Sequence, residues 1–224
     1  MSRIAVLFLL IAAPVLALVL ATLGLETLGK NMLGWVLFLA GVAYCAGIVI
    51  YYWIRKIEFW ELRGDALAEE QGDRSFWLIL PGMLVTFFAP PLEYLYLNAT
   101  LPRTWWMQLA GLLFVFLGVA LRLRMRSAIR GKYSGHVKVV RGQTLVTTGP
   151  YAVIRHPGYA GFLLLSLGIC IGYASLIGLA AIPLLLLPGL AYRISVEEAL
   201  LSEAFGDEFR SYARRTWRLL PFIW

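Results

Sequence analysis

Residues 159–192 read YAGFLLLSLGICIGYASLIGLAAIPLLLLPGLAY, an uncharged apolar run of 34 residues between Pro157-Gly158 and Arg193. One membrane-crossing helix takes about 20 apolar residues, so the run is too long for one ordinary span and barely enough for two. Its middle, Gly172-Tyr173-Ala174-Ser175, has turn character and predicts a helical hairpin of two short helices. A hairpin returns both of its ends to one membrane face. Whatever flanks the run on either side is therefore brought together.

Outward from the hairpin the chain stays apolar. Four further segments, Ile4 to Leu25, Met32 to Ile54, Phe76 to Leu97 and Trp105 to Leu123, are each long enough to cross about 30 Å of hydrocarbon. Ile4 to Leu25 exceeds the roughly 7–15-residue apolar region of a signal peptide and reads as a retained span. Over 224 residues the chain is 60% hydrophobic and 15% charged, with a mean hydropathy of +0.75. Soluble domains have about 45–50% apolar and 25% charged residues. The expectation is an all-α integral membrane protein: four transmembrane helices plus the C-terminal hairpin, six membrane helices in all, with a cytoplasmic segment before the hairpin and a cytoplasmic tail after it. No linker or repeat divides it, so residues 1–224 form one domain, with spans in 1–123 and the chemistry in 124–224.

The net charge of +7 is read by position. Eight of the twenty Lys and Arg lie between Arg122 and Arg155, where no acidic residue occurs. In so apolar a chain this is a cytoplasmic-side signal, and no nucleic-acid-reading motif accompanies it. Asn98 to Thr104 and Glu26 to Asn31 then lie outside, Arg55 to Arg74 inside, and both termini inside. The tail from Arg193, with five basic and five acidic residues, reads as an amphipathic cytoplasmic helix ending in Leu219-Leu220-Pro221-Phe222-Ile223-Trp224. Trp35, Tyr51, Tyr52, Trp53, Trp60, Trp77, Trp105 and Trp106 sit near span ends as an interfacial belt. Cys45 and Cys170, inside apolar runs, lack metal-ligand spacing, so no metal is expected. The hairpin glycines Gly158, Gly161, Gly168, Gly172 and Gly178 read as points of close helix packing.

Chemistry-bearing side chains are scarce, and they cluster. Both histidines, His136 and His156, lie between the fourth span and the hairpin. Residues 137–146 are β-branched and expected to be extended; Thr147-Thr148-Gly149-Pro150-Tyr151 is a turn signal, and Pro157 suits the first turn of the hairpin helix. Beyond the hairpin, Arg193 and Glu197 stand four apart on a helix and share a face, which allows an ion pair. Glu93, late in the third span beside Pro90-Pro91, is either a headgroup contact or an intramembrane functional carboxylate. His156, Tyr159, Arg193 and Glu197 should converge at the cytoplasmic boundary, a geometry that suits an enzyme joining a water-soluble cofactor to a lipid-borne substrate.

Around these residues the sequence resembles the isoprenylcysteine carboxyl methyltransferase family, integral-membrane methyltransferases related to phospholipid methyltransferases. The shared pattern is Leu145-Val146, Gly149-Pro150-Tyr151, Arg155-His156-Pro157-Gly158-Tyr159, the apolar hairpin, Glu197-Glu198, Phe205-Gly206-Asp207-Glu208-Phe209, Tyr212, Arg215 and Leu220-Pro221. The family often has a His where Gln143 stands and a Tyr where Phe209 stands. The resemblance implies S-adenosyl-L-methionine as methyl donor, cradled by Gln143, Thr144, Leu145, Val146, Tyr151, Arg155, His156, Pro157, Gly158, Tyr159 and Glu197. It further implies a prenylated or other lipophilic acceptor, contacted by Arg193. The residue types agree: a carboxylate such as Glu197 suits a sulfonium or ammonium charge, and Tyr151 and Tyr159 offer ring faces to adenine or to the cation. A carboxylate acceptor needs orientation and desolvation but no base; an amine acceptor, as in phospholipid N-methylation, needs one, for which Glu198 or His156 is the candidate. Arg193, Glu197 and Glu198 are thus the expected catalytic group. A membrane reductase and a small transporter are the other classes weighed; the latter lacks paired intramembrane charges and inverted repeats.

Overall fold

A computed structural model of the protein describes residues 13–43, 75–97, 101–129 and 145–224. Among the described residues the architecture is all-helical, and the one β pairing is an isolated parallel bridge between Ile154 and Trp217. The helices are α1 (Ala13–Thr27), α2 (Leu33–Ala43), α3 (Ser75–Tyr96), α4 (Trp105–Ala128), α5 (Pro157–Gly172), α6 (Leu176–Phe205) and α7 (Asp207–Ala213). Three segments, Trp77–Tyr96, Trp105–Ala128 and Leu176–Phe205, are long and apolar enough to cross a membrane, while the described parts of α1 and α2, and α5, are shorter apolar helices. The chain is an integral membrane protein. The start of the first expected span and the end of the second lie outside the described residues, as do Cys45, residues 55–74, expected as an inner loop, and residues 137–144 of the expected extended stretch; Leu145 and Val146 have no regular structure.

The hairpin forms where the sequence places it. Ala174 takes a left-handed conformation (φ 53°) in the turn, and the Ser175 side chain accepts from the backbone N–H of Gly178 to start α6. The second arm corrects the sequence reading: it is not short, and the tail does not begin a separate helix at Arg193. Instead α6 runs for 30 residues without a break, from Leu176 past Glu197 and Glu198 to Phe205. Pro183 does not stop it because it sits in a π-helical turn, Ile182–Leu186, where the wider winding absorbs the missing donor. The first real interruption is Gly206 at φ 54°, C-cap of α6 and N-cap of α7.

Small residues bring the helices close. A Cβ on Gly111 of α4 would stand 2.6 Å from the Gly168 carbonyl oxygen of α5, and one on Gly168 would stand 2.6 Å from that of Gly111. Between α3 and α6, a Cβ on Gly82 would lie 2.7 Å from the Leu186 Cα. This is packing by backbone approach, as membrane helices favour in the absence of a hydrophobic drive between them. Ile79, Leu163, Ile182, Leu186, Leu190 and Ile194 form a core shared by α3, α5 and α6, and Leu219 of the tail joins it. Trp35, Trp77, Trp105 and Trp106 are exposed at or near helix ends, as an interfacial belt requires.

Two polar ends bound this bundle. At one, the Asn31 amide donates to the Gly172 carbonyl (2.9 Å), Tyr94 donates to the Lys30 carbonyl (2.6 Å), and the Tyr173 and Thr27 hydroxyls meet at 2.9 Å. The loop after α1 is thereby knitted to the hairpin turn. The opposite end carries His156, Arg193 and Glu197.

Candidate active site

The site grows from the start of α5. His156 is its N-cap residue, and Pro157 occupies the first helical position, where its missing N–H costs nothing. Arg155 and His156 donate their backbone N–H groups to the Trp217 and Arg218 carbonyls at 2.7 and 3.1 Å, and Trp217 donates back to Val153 at 3.0 Å. The tail beyond α7 is therefore paired to the residues that open the hairpin.

On this frame the side chains of three segments converge. Tyr159 donates to Glu197 Oε2 at 3.0 Å and accepts from Arg193 Nε at 3.2 Å. The expected i, i+4 neighbours Arg193 and Glu197 are thus joined through a phenol from the other arm of the hairpin. The His156 ring stacks on Tyr159 with centroids 5.8 Å apart and lies between two carboxylates, Nε2 at 3.3 Å from Glu198 Oε1 and Nδ1 at 3.8 Å from Glu197 Oε2. His156 is buried, while the Glu197 side chain keeps 27% exposure.

Glu198 points the other way. Its Oε1 accepts from Arg155 Nε at 2.7 Å and its Oε2 from Arg218 Nε at 3.0 Å. Arg155 also donates through Nη1 to the Ala213 carbonyl (2.8 Å) and to the Thr216 carbonyl. Its guanidinium thus ties α6 to the tail. Tyr212 donates to the Tyr151 carbonyl at 2.7 Å; burial pushes its phenol up to about 12, so the donor proton stays on at any ordinary pH. Gly158 accepts from Arg122 Nη1 of α4 at 3.2 Å through its carbonyl.

Among the expected site residues, His156, Tyr159, Arg193, Glu197 and Glu198 are linked by contacts into one cluster that Arg155 joins through Glu198, with Pro157 and Gly158 in the adjoining backbone. Tyr151, half-buried, is joined to the cluster through Tyr212. Leu145 and Val146 are half-buried on the same segment, and Gln143 and Thr144 lie outside the described residues. Sequence reading missed Arg218 and Thr216, since a tail read as an amphipathic helix with an apolar end gave no sign that it folds back; the turn residues around Pro221 were the available signal. Among the described residues no group of His, Cys, Asp and Glu could hold a metal ion.

Chemically, the cluster is a partly exposed carboxylate beside an aromatic pair and a guanidinium, set at the end of apolar helices. That combination of groups makes the cluster the candidate active site. Residues 106–208 match the family model described as phospholipid methyltransferase. The chain is also similar to protein-S-isoprenylcysteine O-methyltransferases. It is 32% identical over 126 residues to a probable protein-S-isoprenylcysteine O-methyltransferase of Oryza sativa subsp. indica, covering 55% of this chain and 65% of that protein. It is 29% identical over 137 residues to protein-S-isoprenylcysteine O-methyltransferase A of Arabidopsis thaliana (59% and 70%), and 33% identical over 123 residues to the Homo sapiens protein-S-isoprenylcysteine O-methyltransferase (53% and 42%). The chain thus matches about two thirds of the length of the plant relatives and less than half of the human one. A solved structure of the eukaryotic intramembrane Ras methyltransferase ICMT has the same fold, at a TM-score of 0.55 and 20% identity, covering 95% of this chain and 75% of that one.

Proposed function

We propose that the protein is a membrane methyltransferase that moves the methyl group of S-adenosylmethionine to a lipophilic acceptor, the carboxylate of an isoprenylcysteine-like substrate, at the cytoplasmic membrane face. The observation that carries this reading is the Arg193–Tyr159–Glu197 chain of hydrogen bonds across the two arms of the hairpin. It sets an anion and a cation on either side of one phenol, at the boundary between apolar helices and water. The names of the relatives support the acceptor class.

The residues fit the donor chemically. Glu197 is held by Tyr159 on Oε2 and is partly exposed, so it meets a sulfonium or ammonium charge. The stacked His156 and Tyr159 offer ring faces to adenine or to the cation, with Tyr151, Leu145 and Val146 completing the cradle. When bound, S-adenosylmethionine supplies a methyl group made electrophilic by the sulfonium. Arg193 orients the acceptor carboxylate, a role for which its planar guanidinium is suited. The apolar stretches of α5 and α6 that adjoin the site strip water from that carboxylate and align it. No proton changes hands with a carboxylate acceptor, so no side chain is needed as a base.

In this reading the chain is one membrane domain with six membrane helices, residues 1–123 walling the acceptor chain and 124–224 holding the donor. The family description favours one second reading, phospholipid N-methylation. An amine acceptor must lose a proton, and Glu198, engaged by Arg155, His156 and Arg218, is committed elsewhere; His156 would have to serve. Incubating the protein with labelled donor, a prenyl-cysteine analogue and phosphatidylethanolamine separates the two. Label in the prenyl-cysteine ester is expected. Label in the phospholipid alone would reverse the assignment.

A further inference from the structure

We propose that Arg218 is a positioning residue of this site: through Glu198 it fixes the ring of His156 beside Glu197. The inference rests on the reading above that His156 and Glu197 face the methyl donor.

The geometry is a closed circuit of three residues from three segments. His156 donates its backbone N–H to the Arg218 carbonyl at 3.1 Å. Arg218 Nε donates to Glu198 Oε2 at 3.0 Å, and Glu198 Oε1 meets His156 Nε2 at 3.3 Å. The division of labour on the carboxylate is what matters. Arg155 and His156 share Oε1, and Arg218 holds Oε2. A glutamate's terminal torsion is broad and nearly two-fold, so a carboxylate held by one oxygen turns freely. Held by both, its plane is set, and with it the direction from which His156 Nε2–H is received.

Which nitrogen of a histidine carries the proton is decided by the partner of the other. With Nε2–H given to Glu198, Nδ1 is turned to Glu197 Oε2 at 3.8 Å. The groups facing the ring are then Glu197 and Glu198 from α6, Tyr159 from α5, and Arg155 and Arg218 through Glu198. Arg218 itself is steadied by the Trp224 ring, 5.5 Å from its guanidinium carbon, and by its backbone pairing. Arg155 is anchored to tail carbonyls as well as to Glu198, so it cannot move over to replace Arg218 on Oε2.

The test uses the full chain in lipid nanodiscs. With only two histidines present, a His136→Gln background leaves His156 as the single imidazole, and its ring ¹⁵N shifts report the tautomer directly. In that background the Nε2-protonated pattern is expected, and Arg218→Ala should give mixed tautomers with S-adenosylhomocysteine affinity lower by about tenfold. Arg218→Lys should restore most of the pattern, since an ammonium still holds Oε2; it also serves if the Ala variant fails to fold. Unchanged ¹⁵N shifts in Arg218→Ala would overturn the proposal even if activity fell, because that loss would be merely structural. Expected shifts without any S-adenosylhomocysteine binding by the parent protein would instead overturn the donor-site reading and leave the positioning role standing.

Discussion

Glu93 and Ser175 meet at 2.6 Å at the turn of the hairpin, on the opposite end of the bundle from the candidate active site. The Glu93 carboxylate is buried at 5% exposure, and it also accepts the backbone N–H groups of Leu176 and Ile177 at 3.1 Å each. Neither a headgroup contact nor a reactive group, it caps the first turn of the 30-residue helix, where an anion is favoured by the unpaired N–H groups.

Glu93→Ala should therefore act on stability rather than chemistry. It strands the Ser175 hydroxyl and two backbone donors in an apolar setting, at a cost of about 3 kcal/mol. Unfolding in detergent should show the loss, while the folded fraction binds donor as before. A variant as stable as the parent would mean that the turn holds without the carboxylate.

Donor binding should fall by more than tenfold in Glu197→Ala and in His156→Ala, the charge partner and the stacked ring of the proposed cradle. Isothermal titration with S-adenosylmethionine and with its demethylated product checks both. Full affinity in the two variants would remove the donor from this cluster.

Tyr159→Phe separates ring from hydroxyl. The ring remains for the donor, but the bridge between Arg193 and Glu197 is lost. Acceptor turnover should drop about tenfold, the scale of one charge-assisted hydrogen bond, with donor affinity changed far less. Equal losses in the two measurements would put the hydroxyl on the donor instead.

Close packing of α4 on α5 makes a graded prediction. At Gly168 an added Cβ meets the Gly111 backbone oxygen at 2.6 Å and the Val115 backbone nitrogen at 2.8 Å; at Gly161 it meets the Arg122 Cγ at 2.7 Å and backbone only at 3.0 Å, the Gly118 carbonyl oxygen. Overpacking should cost about 3 kcal/mol for Gly168→Ala and about 1 kcal/mol for Gly161→Ala. Thermal unfolding of the pair would show a reversed order if backbone approach does not set the packing. Gly161→Leu, which reaches past Arg122, should impair turnover of a lipid acceptor more than donor binding.

Much of this was legible without coordinates, because it depends on composition and short-range spacing. An uncharged run of 34 residues with turn residues at its centre has few options in a bilayer but to fold back on itself. Once it does, His156 and Tyr159 must lie near Arg193 and Glu197. What spacing could not give is how far a helix continues or which distant group it meets. The persistence of α6 through Pro183 depends on a π-turn packed against Gly82, and that fit exists only when α3 is in place.

The same division holds within the site. Residue type and order alone determined a membrane protein whose candidate site residues gather at the hairpin ends. Tertiary structure alone decided the partners: Tyr159 between Arg193 and Glu197, Ser175 on Glu93 across 82 residues, and Arg218 returning from the tail to share Glu198 with Arg155 and His156. The physical reason is that a buried charge takes whichever donor the fold delivers, and no periodicity in the sequence records a contact between segments that meet only after folding.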